Sequence, residues 1–337
     1  MSEVPDFSNA KWFPVDVHVP RDQYSFLLID HDVLEQSTFL DTRISAELDR
    51  ALQVPAAEIE VDGNLNPQVS WLFHTSFCCS TLLARLLHVP PHQVVLKEPL
   101  VLRRLADARY SRWPIDGFIK PTVSLLARPW DPSGAVVVKP THAALNIGAE
   151  LMAADAVSRG VILTSSLQDF LVSNLKKPPE TLSKIPALIE RALRASEFAS
   201  RLSAASLRPP TLIAAAGLQW AAQRELCAGM ISQVGPQRLK AVDASRLLDD
   251  VGLVTSRCAK WLGSSIPEAV LQARVSEVSG RNSKAVDHQY GAAQRSAEMR
   301  FIEGKFSTEL LEARRWFDLM VAPAMSAESQ VLGLAHL

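Results

Sequence analysis

The stretch VSWLFHTSFCCSTLLARLL, residues 69–87, decides the fold class of this 337-residue chain. Val69–His74 is a short, nearly continuous apolar run, which is typical of a strand buried on both faces of a parallel sheet. Small and polar residues follow at Thr75–Cys79. From Ser80 to His88 the leucines recur at helical spacing, which predicts an amphipathic helix. The stretch therefore predicts a strand, a short loop and a helix in succession.

The same alternation continues along the chain. Further apolar or β-branched runs predict strands at Val94–Leu96, Ala135–Lys139, Val161–Thr164 and Leu239–Val242. Segments of helical period lie at Pro99–Arg109, His142–Arg159, within Lys184–Val234 and from Phe306 to Met320. Strands that alternate with helices form βαβ units. We therefore predict an α/β fold with a parallel sheet of about five strands.

The remaining regions indicate the domain organisation. Residues 1–68 are punctuated by proline and acidic residues, and we interpret them as an N-terminal extension with a short strand or two. Its apolar patches are Tyr24–Ile29 and Phe39–Ile44. The main domain is expected at residues 69–330, with an Ala- and Leu-rich helical insertion at 182–234. The polar segment Glu277–Gln289 is expected to be a loop.

Composition excludes several classes of protein. A net charge of −1, with 47% hydrophobic and 21% charged residues, is typical of a soluble globular protein and gives no reason to expect a nucleic-acid or anionic-membrane partner. The N-terminus MSEVPDFSNA lacks a secretory pattern, and no apolar run approaches the roughly 20 residues that cross a bilayer. Four cysteines, two of them adjacent, do not form a disulfide framework. We expect a cytoplasmic protein.

The loop after the strand Val69–His74 is a candidate anion site. In α/β sheets, ligands bind beyond the carboxyl ends of the strands, where loops lead into helices. A small, polar loop that enters a helix presents backbone N–H groups and the positive end of the helix dipole. Ser80 and Thr81 add hydroxyl donors. The alternative is an ordinary helix start with Ser80 or Thr81 as its cap.

Two other phosphate-binding motifs, the Walker A loop and the C-x5-R loop, are alternatives for this segment. It is not a Walker A loop, because Phe77, not lysine, precedes its small residues, and this disfavours an ATPase or a kinase. Cys79 and Arg85 have the C-x5-R spacing of cysteine-dependent phosphatases, which is a further alternative. The residues between them continue the helix and include no glycine. Arg85 is then expected to lie more than a turn along the helix, solvated or paired.

Four segments, in order, resemble the P-loop sulfotransferases, especially their bacterial and tyrosylprotein-type members. FHTSFCCSTLLARLL is similar to the family's 5′-phosphosulfate loop, written Arg/Lys-Ser-Gly-[ST]-T, and VVLKEPLVL resembles the strand that delivers a catalytic glutamate. VVVKPTHAALNIGAELMAADAVSRGVILTSSLQDFLVS resembles the Lys-x-Pro-x-His strand and helix, then a strand that ends in Arg with a Ser eight positions later. LKAVDASRLLDDVGLVTSRCAKWLG is similar to the stretch before the family's C-terminal loop.

The resemblance implies a P-loop three-layer sandwich and a transferase. This sulfotransferase would move a sulfuryl group from the nucleotide 3′-phosphoadenosine 5′-phosphosulfate (PAPS) to an acceptor hydroxyl or amine. The residues implied in nucleotide binding by the loop are Ser76, Phe77, Cys78, Cys79, Ser80 and Thr81. No metal is expected, because the donor carries no triphosphate to neutralise.

The donor-binding positions depart from the family pattern. Phe77 stands where the family has Arg or Lys, and Cys79 where it has Gly. At the 3′-phosphate position Ser165 replaces the usual Arg, which removes a bidentate phosphate contact, whereas Ser173 matches the family serine.

Two basic residues of the C-terminal loop are candidate replacements for the missing arginine. They are Arg281 and Lys284, in SGRNSKAVDHQY, because this loop also contacts the 3′-phosphate in the family. The alternative is a solvated polar loop.

The resemblance also implies the catalytic groups. Glu98 follows the second strand and matches the tyrosylprotein-type glutamate, so it is the first candidate for the base that takes the acceptor's proton. His142 in KPTH is the second. Lys139 or Lys97 would stabilise charge on the sulfuryl oxygens. The alternatives are that Glu98-Pro99 and His142 simply begin helices.

The expected partner is a small-molecule or peptide acceptor. The extension 1–68 and the insertion 182–234 would frame its pocket, because loops and insertions carry specificity. One alternative function is a P-loop protein that binds a nucleotide or a partner without catalysis, which the departures at Phe77 and Ser165 favour. The other is the Cys79/Arg85 phosphatase.

Overall fold

A computed structural model describes residues 5–59, 69–279, 281–282, 285–289 and 292–333. The chain divides into two compact units. The first unit comprises Met1–Phe73, Leu83–Val161 and Thr255–Arg274, and the second comprises His74–Leu82, Ile162–Val254 and Val275–Leu337. The division of the sequence into an extension at 1–68 and a domain at 69–330 remains a prediction.

The elements follow in chain order. The strands are β1 (Trp12–His18), β2 (Gln23–Leu28), β3 (Leu52–Pro55), β4 (Val69–His74), β5 (Gln93–Lys97), β6 (Ala135–Lys139), β7 (Gly160–Thr164), β8 (Leu239–Asp243), β9 (Arg281–Asn282) and β10 (Ala285–Gln289). The helices are α1 (His31–Gln36), α2 (Ser80–Leu87), α3 (Leu100–Tyr110), α4 (Asp116–Ala127), α5 (Gly148–Ala153), α6 (Leu167–Leu175), α7 (Pro179–Leu182), α8 (Ile185–Arg194), α9 (Phe198–Arg201), α10 (Leu212–Val234), α11 (Ala244–Asp249), α12 (Val251–Trp261), α13 (Glu268–Val278), α14 (Ala292–Lys305), α15 (Ser307–Met320) and α16 (Ala327–Gln330). Short 3₁₀ helices lie at Val19–Arg21, Leu48–Arg50, Ala56–Glu58, His142–Ile147 and Ala322–Ala324.

Strands β4 to β8 form a five-stranded parallel sheet flanked by helices, in the order β5-β6-β4-β7-β8. Every residue of β4, β5 and β7 is buried, as expected for strands that are covered on both faces. The predicted α/β class and the parallel sheet of five strands are confirmed, and each predicted strand lies within one residue of its expected ends. β5 pairs with β6 in a register that places Lys97 beside Lys139.

The first unit contains a small antiparallel sheet of three strands, β1-β2-β3, where the sequence predicted one or two strands. The sequence did not predict β1 because Pro14 interrupts its pattern. Pro14 lies at an irregularity in the β1–β2 pairing, between Pro14 and Asp16, and a bulge of this kind tolerates a residue without an N–H donor. The buried Tyr24 of β2 reaches α4, where its hydroxyl lies 2.8 Å from Thr122 Oγ1.

The apolar patch Phe39–Ile44 does not form a strand in the structure. It crosses the end of β5 instead. The N–H of Leu40 donates to the Lys97 carbonyl (2.6 Å), and the N–H of Leu100 donates to the Leu40 carbonyl (2.9 Å). These two bonds fix part of the N-terminal region beside the residues that follow β5.

The second unit is mainly helical and is organised around α10. Thr211 caps this helix by accepting from the Ala214 N–H (3.1 Å), and Gly235 ends it with a φ of 92°, a conformation that favours glycine. Nearly all its residues up to Glu225 are buried, in a core shared with α6, α8 and α15. Gly217 lets α15 approach closely, because an added Cβ would lie 3.1 Å from the Phe317 ring.

Two predicted segments differ from the structure. The helix expected over His142–Arg159 is a 3₁₀ helix followed by the short α5, which ends at Ala153. Asp155 ends it, because its side chain accepts from the Val157 N–H (3.0 Å) and forms a local turn. The loop expected over Glu277–Gln289 contains the end of α13 and the antiparallel strands β9 and β10.

Within the described part of the chain, no helix combines the length and the apolar character needed to cross a membrane.

Candidate functional site

The loop between β4 and α2 has an unusual backbone. Phe77 has a φ of 58° and Cys79 a φ of 61°, both in the left-handed region that non-glycine residues rarely adopt. Residues held in this region cluster at functional sites, because the surrounding structure must compensate for the strain. Left-handed residues within a turn also direct successive N–H groups to one side, which produces a concave anion-binding surface.

Helix α2 begins directly after this loop. Ser80 and Thr81 are its first two residues, and both are buried. The amides of a helix's first turn have no partner within the helix, and the dipole places partial positive charge there. The predicted donors of residues 80 and 81 therefore belong to a helix start with the polarity that suits an anion.

Ser76 is anchored to the long helix α10. Its N–H donates to Gln223 Oε1 (3.0 Å), and Gln223 Nε2 donates back to Ser76 Oγ (3.1 Å). The Thr75 N–H donates to the Leu163 carbonyl of β7 (3.0 Å). Because Gln223 occupies the Ser76 N–H, the donors available to a ligand begin at Phe77 and not at Ser76 as the sequence predicted.

Phe77 is a packing residue in the structure. Its ring meets the buried Phe170 ring of α6 edge-on, with centroids 5.5 Å apart. The Lys177 ammonium lies 5.4 Å from the centroid of the Phe77 ring, within the range of a cation–π contact. Phe77 thus contributes its backbone to the loop and its side chain to the core.

The adjacent cysteines have different environments. Cys78 is buried, and its Sγ donates to the Thr75 carbonyl (3.0 Å). Cys79 is half-buried, and its Sγ accepts a hydrogen bond from Nη1 of Arg295 in α14 (2.8 Å). The sequence did not indicate Arg295, because a contact across more than two hundred residues leaves no local pattern.

The phosphatase alternative does not fit this backbone. Residues 80–84, which would have to curl around a phosphate, lie within α2. Arg85 also lies in α2, more than a turn after Cys79 as expected. Of the two environments expected for it, solvated or paired, its burial excludes the first and lowers the pKa of its guanidinium.

The residues predicted at the 3′-phosphate position lie around α6. Ser165 follows β7 and is buried, its carbonyl accepts from Trp220 Nε1 (2.9 Å), and its hydroxyl has no hydrogen-bond partner among the described residues. Ser173 is half-buried in α6. The backbone of Arg281 lies in β9, but its side chain is outside the described residues, as is the whole of Lys284.

The candidate base, Glu98, follows β5 in the first unit. Its φ is 56°, so it is another non-glycine residue in the left-handed region, and its N–H donates to the Lys139 carbonyl (2.7 Å). The Lys139 ammonium forms an ion pair with Glu98 Oε1; Lys139 is 1% exposed and the Glu98 side chain 13%. The structure therefore brings together the predicted base and the predicted charge-stabilising lysine.

Lys97 lies beside this pair but faces a different group. Its ammonium donates to the Leu34 carbonyl (2.6 Å), and the side chain is 2% exposed. Burial lowers the pKa of Lys97 to about 8, and the positive charges of Arg85, Arg274 and Lys139 act in the same direction. Of the two lysines proposed for charge stabilisation, only Lys139 has Glu98 as a partner.

The N-terminal region adds side chains that the sequence did not assign to the site. Phe39 is buried, with the Lys139 ammonium 5.6 Å and the Arg43 guanidinium carbon 4.2 Å from its ring centroid. Its ring therefore contacts the cation that holds Glu98.

His142, the second candidate base, begins the 3₁₀ helix after β6 and is half-buried. Among the described residues, no group of three or more His, Cys, Asp or Glu side chains has a metal-binding arrangement.

No known protein family matches this sequence, and no curated protein is similar to it. The solved structures that match this chain include the following two. The sulfotransferase domain from the curacin biosynthetic pathway has a TM-score of 0.38 and 14% identity, over 78% of this chain and 95% of that one. The sulfotransferase domain from the Synechococcus PCC 7002 olefin synthase has a TM-score of 0.38 and 13% identity, over 82% of this chain and 98% of that one. Both TM-scores are below 0.5, so these two structures are no evidence for the function of this chain.

Proposed function

We propose that this protein is a sulfotransferase that uses PAPS. The observation that supports this most directly is the loop Thr75–Cys79, where two left-handed residues precede the start of α2. A loop of amides at a helix N-terminus suits a phosphosulfate, whose charge is lower than that of a triphosphate. The order of the four sequence segments that resemble sulfotransferases supports the same assignment.

In this proposal, the loop holds the donor and the protein supplies a base. The acceptor oxygen or nitrogen forms a bond to sulfur while the bond from sulfur to the bridging phosphate oxygen breaks. The acceptor's proton passes to Glu98, and 3′-phosphoadenosine 5′-phosphate leaves with the bridging oxygen. Positioning and charge stabilisation provide most of the rate enhancement in transfers of this kind.

The ion pair with Lys139 gives Glu98 a defined orientation. An ammonium that holds a carboxylate oxygen fixes the direction in which the carboxylate can take up a proton. The same ammonium lies 5.6 Å from the centroid of the Phe39 ring. Lys139 would thus act first through Glu98, as a positioning residue, and only then on the sulfuryl oxygens.

The test is calorimetric titration with 3′-phosphoadenosine 5′-phosphate, followed by transfer assays with sulfur-labelled PAPS and a panel of hydroxyl and amine acceptors. We expect binding by the wild-type protein. Glu98→Gln should bind the nucleotide normally and lower the transfer rate about a hundredfold, the lower end of what general bases contribute. His142→Asn tests the second candidate base: a loss of rate larger than that of Glu98→Gln would assign the proton transfer to His142. Glu312→Gln, at an exposed residue, is the control and should change the rate little. No binding at millimolar nucleotide would contradict the proposal.

A second candidate is a protein that binds the nucleotide without catalysis. This alternative is favoured because groups that a catalyst would need already have partners within the protein. Gln223 occupies the Ser76 N–H, and Lys139 pairs with Glu98. This alternative would be established if the wild-type protein bound the nucleotide but transferred a sulfuryl group to no acceptor, and if Glu98→Gln left nucleotide binding unchanged.

A further inference from the structure

The second unit places two cations against a loop that carries none of its own. Residues 75–81 include no lysine or arginine. Arg295 Nη1 lies 2.8 Å from Cys79 Sγ, and Lys177 Nζ lies 5.4 Å from the centroid of the Phe77 ring. Each cation thus contacts one of the two left-handed residues of the loop.

The position of Arg295 is fixed by the packing of α14 on α6. Gln168 Nε2 donates to Glu303 Oε1 (3.1 Å), and Lys176 forms an ion pair with Glu298. Glu298 follows Arg295 by three residues, so the two side chains lie on the same side of α14. The helix is therefore attached to α6 close to the point at which it delivers its guanidinium to the loop.

Lys177 reaches the loop from the end of α6. Its ammonium faces the Phe77 ring, and that ring also contacts Phe170 edge-on. Phe77 stands where the sulfotransferases have Arg or Lys. Its ring instead attracts the ammonium of Lys177, which comes from another segment of the chain.

The contact between Arg295 and Cys79 leaves the guanidinium with capacity for a ligand. A guanidinium has five N–H donors, and a thiol is a weak acceptor. An oxyanion is a much stronger acceptor and takes two parallel bonds from a guanidinium. Replacing the thiol by an oxyanion would therefore strengthen the interactions of Arg295.

We propose that Arg295 and Lys177 supply the positive charge of a dianion site built on the loop Phe77–Thr81, in place of a basic residue within the loop. This inference rests on the proposed function and names the residues that neutralise the donor. The ligand class is a sulfate- or phosphate-bearing dianion, carried by a nucleotide or free in solution.

The experiment measures the dissociation constants of 3′-phosphoadenosine 5′-phosphate, inorganic sulfate and adenosine for the full chain. Arg295→Gln should raise the dissociation constant of the nucleotide about tenfold, the loss expected for one charge-assisted contact, and Lys177→Gln should raise it less. Arg295→Lys should lie between wild type and Arg295→Gln, because it keeps the charge but not the paired donors. The matched controls are Arg300→Gln on the same helix and Lys184→Gln, both at exposed residues; neither should change binding.

The outcomes separate this inference from the proposed function. A wild-type protein that binds no nucleotide contradicts the proposed function itself. Nucleotide binding that Arg295→Gln leaves unchanged overturns the inference and leaves the function standing. If inorganic sulfate binds as tightly as the nucleotide and responds to the same variants, the inference holds and the ligand is the free anion.

Alkylation of Cys79 gives a second measurement that needs no nucleotide. Of the four cysteines only Cys79 is not buried, so iodoacetamide should label it selectively, and Cys79→Ser should abolish labelling. Inorganic sulfate should slow this labelling in the wild type and not in Arg295→Gln. Equal protection of both proteins would contradict the role of Arg295, and unchanged circular dichroism of the variant would show that it is folded.

Discussion

Three residues at the ends of β5 and β6 have ionisable side chains: Lys97, Glu98 and Lys139. The parallel register places the two lysines side by side, and the single carboxylate pairs with Lys139. The Lys97 ammonium donates to a backbone carbonyl, and its pKa falls to about 8 because burial disfavours the charged form. Of the two lysines, Lys139 is therefore the one that pairs with Glu98.

This arrangement predicts a pH-dependent stability. The folded protein releases the Lys97 proton near pH 8 and the unfolded chain near pH 10.5, so the unfolded state binds more protons between these values. Stability should therefore rise with pH across this window, and the buried ammonium should cost most below pH 8. Between pH 7 and pH 9.5, wild type should gain about 2 kcal/mol in free energy of unfolding relative to Lys97→Met.

Urea unfolding at the two pH values measures this difference. The other ionisable groups that interact with Lys97 (Arg85, Arg274, Lys139, Glu35 and His88) remain in both proteins, so the comparison isolates the Lys97 ammonium together with its effect on them. A constant difference between the two proteins would show that Lys97 keeps an ordinary pKa.

At the scale of an element, the loop between β4 and α2 depends on its backbone more than on its side chains. Phe77 and Cys79 adopt the left-handed conformation, and Cys78 between them fills a buried position. Position 79 therefore favours a residue that tolerates a positive φ, whereas position 78 favours a side chain that fills a buried space.

Substitutions at these neighbouring cysteines should have different effects. Cys79→Gly should change the free energy of unfolding by less than about 1 kcal/mol, because relief of the left-handed strain offsets glycine's greater chain entropy. Cys79→Val should destabilise by about 2 kcal/mol, since a branched side chain disfavours this conformation further. Cys78→Gly should cost about 1–3 kcal/mol through lost burial. Thermal and urea unfolding would check the order, and an equal cost for both glycine variants would contradict it.

At the scale of the whole molecule, each unit holds one end of the chain with a buried arginine. In the first unit Arg128, 1% exposed, donates to the carbonyls of Phe7, Asn9 and Trp12 at 2.7–3.0 Å. In the second unit Arg224, 3% exposed, donates to the carbonyls of Ser329, Gln330 and Leu332 at 2.8–3.2 Å. Burial lowers the pKa of both, to about 10 for Arg128.

Removing either arginine should release its own terminus. Arg128→Met and Arg224→Met should each lower the free energy of unfolding by about 2–4 kcal/mol, because several carbonyls lose a charged donor. Hydrogen exchange should accelerate at residues 7–12 in the first variant and at residues 326–333 in the second. Arg50→Met and Arg208→Met, at exposed residues, are the controls and should change neither region. Unaltered exchange at the terminus concerned would refute the anchoring role.

The local pattern of the sequence was sufficient for the main sheet. Strands with continuous apolar runs, such as β4 and β5, were predicted within one residue of their ends because burial on both faces leaves a one-dimensional signal. Glu98 and Lys139 came from the resemblance to sulfotransferases and not from this pattern; the structure pairs their side chains, and their roles stay predictions. β1 was missed because its proline lies at an irregularity that only pairing with β2 explains.

Local patterns in the sequence predict parallel strands and a polar loop that leads from one of them into a helix. The side chains that contact this loop become known only from the folded chain: Gln223 occupies one of its amides, and Arg295 contacts its half-buried thiol. The physical reason is that strand and helix formation depend on the periodic burial of neighbouring residues, which the sequence records locally. The partners of a loop come from segments distant in the chain, and their approach is set by the packing of whole helices.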